Sequence, residues 1–348
     1  MTEPARSRTP TGGWIERPSR EQIVLGVLVL AGIVAFPLLN PGYRLLSLAV
    51  TTGFTAIALY GLALQFGQAG ILSVGHAGIV GVGAYAAAII ATQFGAGFWL
   101  ALPVSIAASA FAAALVGMPS LRVGGQHYII ITFCFSALLV IALTNGGTLT
   151  GSATGLDVGL IAPVFGINFA LIKNAYALVS GFLVVCIVVT YVIVNSPYGR
   201  TLRAIRENEP LARAVGINSN RHKIGVFFLS GAFAGLAGIL QTYYLRHISP
   251  PLYGAFPSLY LALMIMLGGA RYLYGPLIGA IIVTFLPEVG HLDPIDARIA
   301  YGVALLAVIL LLPGGVSGGV AELYRALVAR WQRAPAAPAS VSPPPSAG

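Results

Sequence analysis

Gln68, Ser73 and His76 are hydrogen-bonding side chains set among glycines at 67, 70, 75, 78, 81 and 83, within a stretch that otherwise reads as membrane. Groups of this kind can hold a polar solute and let it go. They do not make a nucleophile–base pair. The whole stretch, QFGQAGILSVGHAGIVGVGAY over residues 65–85, is able to enter or break a helix near residues 67–75. The freed backbone groups are tolerated at membrane depth only where they are buried in protein or line a water-filled cavity. Two readings stand. In one, Gln68, Ser73, Gly75 and His76 line a translocation path. In the other, the glycines form a close-packing helix face and His76 is an interhelical hydrogen bonder.

Other chemistry is excluded by what is missing. Of the ten acidic residues only Glu288 falls inside an apolar run, near its end. Carriers driven by protons or sodium need ionisable groups at membrane depth, so the pattern argues against self-powered transport. The two lysines, Lys173 and Lys223, belong to no G-x-x-x-x-G-K-[ST] loop, so ATP is not bound by that route. Cys134 and Cys186 sit in apolar runs without metal or redox spacing and read as small packing residues. His127, His222, His247 and His291 lie at the ends of apolar runs with no ligand spacing. The expectation is a chain with no catalytic residue, no cofactor and no metal site.

The second constellation is residues 197–223, PYGRTLRAIRENEPLARAVGINSNRHK, which hold six of the nineteen basic and two of the ten acidic residues. Residues 196–199 are turn chemistry that ends an apolar run, and residues 200–206 are cationic. Glu207-Asn208-Glu209-Pro210 predicts a short helix with an acid ahead of proline in its first turn. Gly216 then stops a small-residue helix. Alanine on one face and arginine on the other fits a groove in a partner protein. A solvated loop would need the positive charge but not this order.

The elements that must position these residues are membrane helices. The chain is 57% hydrophobic and 8% charged, against roughly 25% charge in ordinary globular proteins, and 43 of its 348 residues are glycine. A span needs about 20 apolar residues. Ten candidates satisfy or approach that: 23–39, 45–64, 69–92, 98–117, 128–144, 175–194, 224–244, 258–270, 275–289 and 297–312. The eighth and ninth are short enough to be tilted, re-entrant or half-spanning. Residues 1–22 are polar with four arginines, and the apolar run after them lacks a small-residue cleavage site, so it reads as a retained first helix. With the N-terminus inside, inner segments carry fifteen basic residues and outer segments four, which places both ends in the cytoplasm. The net charge of +9 therefore belongs to cytoplasmic loops, and no nucleic acid partner is implied. The longest outer segment, 145–174, is rich in Gly, Ser and Thr, and the tail ending PAAPASVSPPPSAG is expected to be disordered. The fold expected is all-α and polytopic, about ten transmembrane helices over 23–320, with a loop at 195–223 and cytoplasmic tails at 1–22 and 321–348.

Several segments in order resemble the LivM-like family, the permease subunits of ABC importers for branched-chain amino acids and related small polar solutes. They are GQAGILSVGHAGIVGVGAYAA (67–87), LRVGGQHYIIITFCFSALLVIALTN (121–145), LTGSATGL (149–156), GRTLRAIRENEPLARAVGIN (199–218), FLSGAFAGLAGIL (228–240), MLGGARYLYGPLIGA (266–280) and LLLPGGVSGG (310–319). The match spans roughly residues 45–320. The resemblance implies a permease in a bacterial-type plasma membrane, working by alternating access. Its partners would be ATP-binding cassette subunits at the cytoplasmic face, a second homologous permease in a heterodimer, an extracytoplasmic solute-binding protein, and membrane lipid. Arg206, Glu207, Glu209, Ala212, Ala214 and Gly216 would correspond to the helix that docks on the ATPase. Residues 70–72, 125–127 and 134–135 depart from the family's usual residues and bear on the solute. The rival reading is a glycine-rich channel or facilitator working without ATP.

Overall fold

A computed structural model describes residues 32, 35–39, 42–121, 125–159, 171–289, 302–303, 306 and 314–319. The expected tails 1–22 and 321–348 lie outside the described residues, as do most of the first span (23–39) and of the tenth (297–312). The other eight candidate spans each contain a helix. In chain order these are α1 (Tyr43–Ala63), α2 (His76–Gln93), α3 (Phe98–Ser120), α4 (Gly125–Thr144) and α5 (Ile172–Asn195), then α8 (Ser219–Leu245), α9 (Ala255–Gly268) and α10 (Gly275–Val289). Between α5 and α8 lie two short helices, α6 (Pro197–Glu207) and α7 (Glu209–Ala214). Seven of the described helices are long and apolar enough to cross a membrane, and Gly275–Glu288 is a shorter apolar one. The chain is a helical, multi-pass membrane protein.

The third span departs from its hydropathy bounds, with a break inside the 67–75 stretch where the glycines allow one. The apolar run begins at residue 69, yet helix resumes only at His76. α1 continues into one π-helical turn, Leu64–Gln68, and residues 70–73 are non-helical. The Gly70 and Ile71 amides donate back to the Phe66 and Gln65 carbonyls at 3.2 and 3.1 Å, and Gly70 sits at φ +74°, a left-handed residue ending a helix in the usual way.

Because lipid is as apolar as leucine, helices in a membrane associate through close packing and hydroxyl hydrogen bonds. The core shows both devices. α8 packs most extensively against α3 and α2. A Cβ on Gly83 would lie 2.7 Å from the Gly235 Cα, so α2 and α8 approach as only small residues allow. Ser105 of α3 lies between them, its hydroxyl 2.9 Å from the carbonyls of both Gly83 and Gly235, and Ser109 donates to the Ile79 carbonyl at 2.9 Å. Cys186 is buried in this apolar interior, whereas Cys134 lies on the exposed face of α4.

Contacts between loops fix which ends lie together. At one end, Leu156–Asp157 (β1) pairs antiparallel with His247–Ile248 (β2), joining the segment that follows α4 to the exit of α8. At the opposite end of α8, α6 packs on the π-turn and on α8, α7 packs on α6 and α8, and Gly67 of the π-turn lies against Ala270.

Candidate functional site

The helix break builds its own surroundings. Val74 NH donates to Thr132 Oγ1 at 3.1 Å, so a hydroxyl of α4 satisfies an amide that the missing helix turn leaves free. Gly75 lies against the Thr132 carbonyl, leaving no room for a side chain. Ser73 accepts from the Gly75 amide at 3.4 Å. His76 opens α2 and is fully buried, with Nε2 3.0 Å from the Ala58 carbonyl. A carbonyl only accepts, so Nε2 carries the proton, and Nδ1 is left as a buried acceptor without a partner among the described residues.

Four of the sequence-predicted residues, Gln68, Ser73, Gly75 and His76, are thus brought into one buried segment. One nitrogen of His76 is an interhelical hydrogen bonder, and the other is buried without a partner among the described residues. The segment also contains Gln65, which the sequence did not single out. It is fully buried, and neither amide atom has a partner among the described residues. Thr132 and Ser136 were also missed. They are four residues apart on the buried face of α4, with Ser136 Oγ 3.1 Å from Ser258 Oγ of α9. Hydroxyls at helical spacing in an apolar run were the signal.

A small cleft of about 10 Å³, room for about one water molecule, lies between α1 and α5 beside residues 270–276. Tyr60, Gln68, Thr190, Val194 and Tyr272 line it. The Tyr60 hydroxyl and Thr190 Oγ1 are buried without a partner among the described residues.

The charged segment forms two capped helices. Ser196 caps α6, accepting from the Gly199 amide at 3.3 Å with Pro197 in the first turn. Residues 196–199 therefore begin a helix as well as ending α5. Asn208 is extended and caps α7 through the Leu211 amide at 3.0 Å, and Gly216 at φ +87° ends it. α6 buries Leu202 and Ile205. Its Tyr198 hydroxyl donates to the His222 carbonyl of α8 at 2.8 Å, and the two rings stack.

The side chains of this segment divide into those that hold it and those that face outward. Glu209 accepts from Lys223 Nζ at 2.8 Å on both oxygens and from Arg213 Nη2 at 2.9 Å. Burial pushes its carboxyl up, but Lys223 and then Arg213 more than reverse this, so it sits below the usual range. Ala212 is buried. Arg206 Nη1 donates to the Gly67 carbonyl. Glu207 and Ala214 are exposed, and beside them two apolar side chains outside the spans are open, Leu211 at 60% and Val215 at 70%. Elsewhere, Glu288, the acid at the end of a span, pairs with Arg44, and Asp157 pairs with His247 across the strand pair at 2.7 Å. No group of three or more potential metal ligands occurs among the described residues.

Comparison with known proteins adds the following. The family profile described as branched-chain amino acid transport system / permease component matches residues 44–314. The high-affinity branched-chain amino acid transport system permease protein LivM of Escherichia coli (strain K12) is 28% identical over 288 residues, covering 76% of this chain and 67% of that protein. The ribose import permease protein RbsC of the same organism is 28% identical over 316 residues, 87% of this chain and 94% of that protein. No solved structure matches the chain.

Proposed function

We propose, on the premise that the chain belongs to the branched-chain amino acid transport system permease component family, that it is the membrane-spanning subunit of an ABC importer. It moves a small polar solute inward by alternating access, driven by ATP-binding subunits that dock on α6 and α7. A second permease subunit completes the path, and an extracytoplasmic solute-binding protein delivers the solute. Both chain termini lie in the cytoplasm of a bacterial-type plasma membrane.

The observation that carries this reading is the α6–α7 element. It lies outside the spans, is capped at both starts, and is pinned to α8 through Tyr198 and Glu209. An exposed Leu211–Val215 pair four residues apart stands next to Glu207 and Ala214. A loop serving topology alone needs positive charge and has no use for a rigid, apolar-tipped knob. Within the docking set, Glu207, Leu211, Ala214 and Val215 are the contact residues, while Glu209, Ala212 and Gly216 hold the shape. Gln68, Ser73, Gly75 and His76 belong to the moving break beside the path. The solute class follows relatives named for branched-chain amino acids and for ribose, so specificity is assigned to the binding protein rather than to this chain.

The test is isolation of the tagged chain from its native membrane, followed by reconstitution in liposomes. Co-isolation of a nucleotide-binding subunit and ATP-dependent uptake are expected. Solute flux through the chain alone, without ATP, would establish a facilitator instead.

A further inference from the structure

Arg203 and Arg206 carry an inference that rests on the coupling role of α6 and α7 and goes one step deeper. They stand three residues apart on α6, flanking its buried Leu202 and Ile205. A topological arginine extends into water. These two turn toward the protein instead. Arg203 Nη1 donates to Gln68 Oε1 at 3.2 Å and to the Val194 carbonyl at 3.0 Å. Arg206 Nη1 donates to the Gly67 carbonyl, and its aliphatic stem packs on Gly70, where an added Cβ would lie 2.7 Å from the arginine Cγ.

The acceptors share one property. Gly67 and Gln68 close the π-turn at the end of α1, and Val194 lies in the last turn of α5. The last carbonyls of a helix have no intrahelical partner and carry the negative end of its dipole, so a guanidinium there is a charged cap. Neither arginine forms a salt bridge among the described residues. Two partly desolvated cations are therefore held by helix ends and a side-chain amide. Those same two ends frame the cleft between α1 and α5, where Tyr60 and Thr190 carry the unpartnered hydroxyls.

We propose that Arg203 and Arg206 are positioning residues that latch α6 to the carboxyl ends of α1 and α5, and that the cleft between those ends is the cytoplasmic gate. Displacement of α6 by the docked ATP-binding subunits pulls on both ends at once and opens the space lined by Tyr60, Gln68 and Thr190. Docking belongs to the outward side chains of α6 and α7, and transmission belongs to these two inward ones.

The experiment compares wild-type complex with Arg203→Met, Arg203→Lys and Arg206→Met, reconstituted with all subunits. The readout is solute imported per ATP hydrolysed. Coupling through an intermediate residue is worth enough to change that ratio by roughly 2- to 30-fold. Arg203→Met and Arg206→Met are expected to lower it on the order of tenfold while the ATP-binding subunits still co-isolate. Lysine keeps the charge but presents a point donor instead of a fork, so Arg203→Lys should fall between. Adding Gln68→Glu to Arg203→Lys should recover much of the ratio by replacing an amide acceptor with a carboxylate. As a second measurement, spin labels at Ala63 and Thr190, in a chain with Cys134 and Cys186 replaced by alanine, should show a broader distance distribution across the cleft in Arg203→Met. An unchanged transport ratio, or variants that shed the ATP-binding subunits, would overturn the latch. Absence of those subunits from the wild-type preparation would instead sink the coupling role on which the latch rests.

Discussion

Replacing Glu209 by glutamine isolates the force that holds α7 in place. The Lys223 side chain is 15% exposed, the Glu209 side chain 30% and Arg213 54%. The Arg213 pair is an exposed i,i+4 contact and contributes ~0.3–0.5 kcal/mol. The Lys223 pair matters more, because glutamine leaves a largely desolvated ammonium facing a neutral amide, at about 1–2 kcal/mol after solvent screening. A loss of that size raises local opening of the α7 segment roughly 5- to 30-fold. Amide hydrogen exchange over residues 209–217 of the purified full-length chain reads this directly. Glu209→Gln should speed exchange by that factor at neutral pH, whereas Glu207→Gln, which removes no salt bridge among the described residues, should stay within twofold. Acid gives the sign. Glu209's carboxyl is lowered in the folded chain, so its contribution is fully present above the ordinary carboxylate value of about 4.3 and is lost as pH falls through its lower folded value. Exchange as fast in wild type as in Glu209→Gln, or protection that fades well above the carboxylate range, would refute the reasoning.

Gly75→Ala should lower the thermal midpoint in detergent, because its methyl meets the Thr132 carbonyl and overpacking of this kind costs about 1–3 kcal/mol. Leu211→Asp should weaken co-isolation of the ATP-binding subunits while leaving exchange over residues 209–217 unchanged, since Leu211 is exposed and holds nothing. Gln65→Leu removes two buried, unpartnered amide atoms and should raise thermal stability by about 1–3 kcal/mol. Loss of uptake in the same variant would place that amide on the solute's route, and unaltered uptake would leave it a packing residue.

Much of the fold is legible because it rests on local information. Runs near 20 apolar residues are long enough to span and have few other uses. The caps are equally local: Asn208 before Glu209-Pro210 and Asn218 before α8 lie within three residues of the amides they cap, and Ser196-Pro197, which reads in sequence as a turn closing the apolar run, opens α6 as well. The start of α2 is the exception. Ala69, Ile71, Leu72 and Val74 are as apolar as helix, so hydropathy carries the span to residue 69. Only the glycines hint at the break. Its stability depends on Thr132, 58 residues away on another helix, whose hydroxyl receives the Val74 amide.

The same distinction decides what can be known of the charged loop. Counting basic residues assigns the loop to a side of the membrane, and it treats its arginines as equivalent. The structure makes them unlike. Arg213 stays at the surface in a pair with Glu209 that the four-residue spacing makes readable, while the stronger Lys223 contact, fourteen residues on, is invisible in sequence. Arg203 and Arg206 are drawn inward, and although Arg203 also reaches the nearby Val194 carbonyl, each has an acceptor far back in the chain, 135 and 139 residues earlier. Burial lowers the pKa of both, with Arg200 adding to the effect on Arg203 and Arg271 to that on Arg206. A guanidinium accepts such a site only when helix-end carbonyls replace its water. Gly67 and Gly70 supply that site because a side chain at either would displace Ala270 or Arg206. The glycine-rich stretch and the basic loop, two separate oddities in the sequence, are therefore halves of one contact, and substitution on either half should disturb the other.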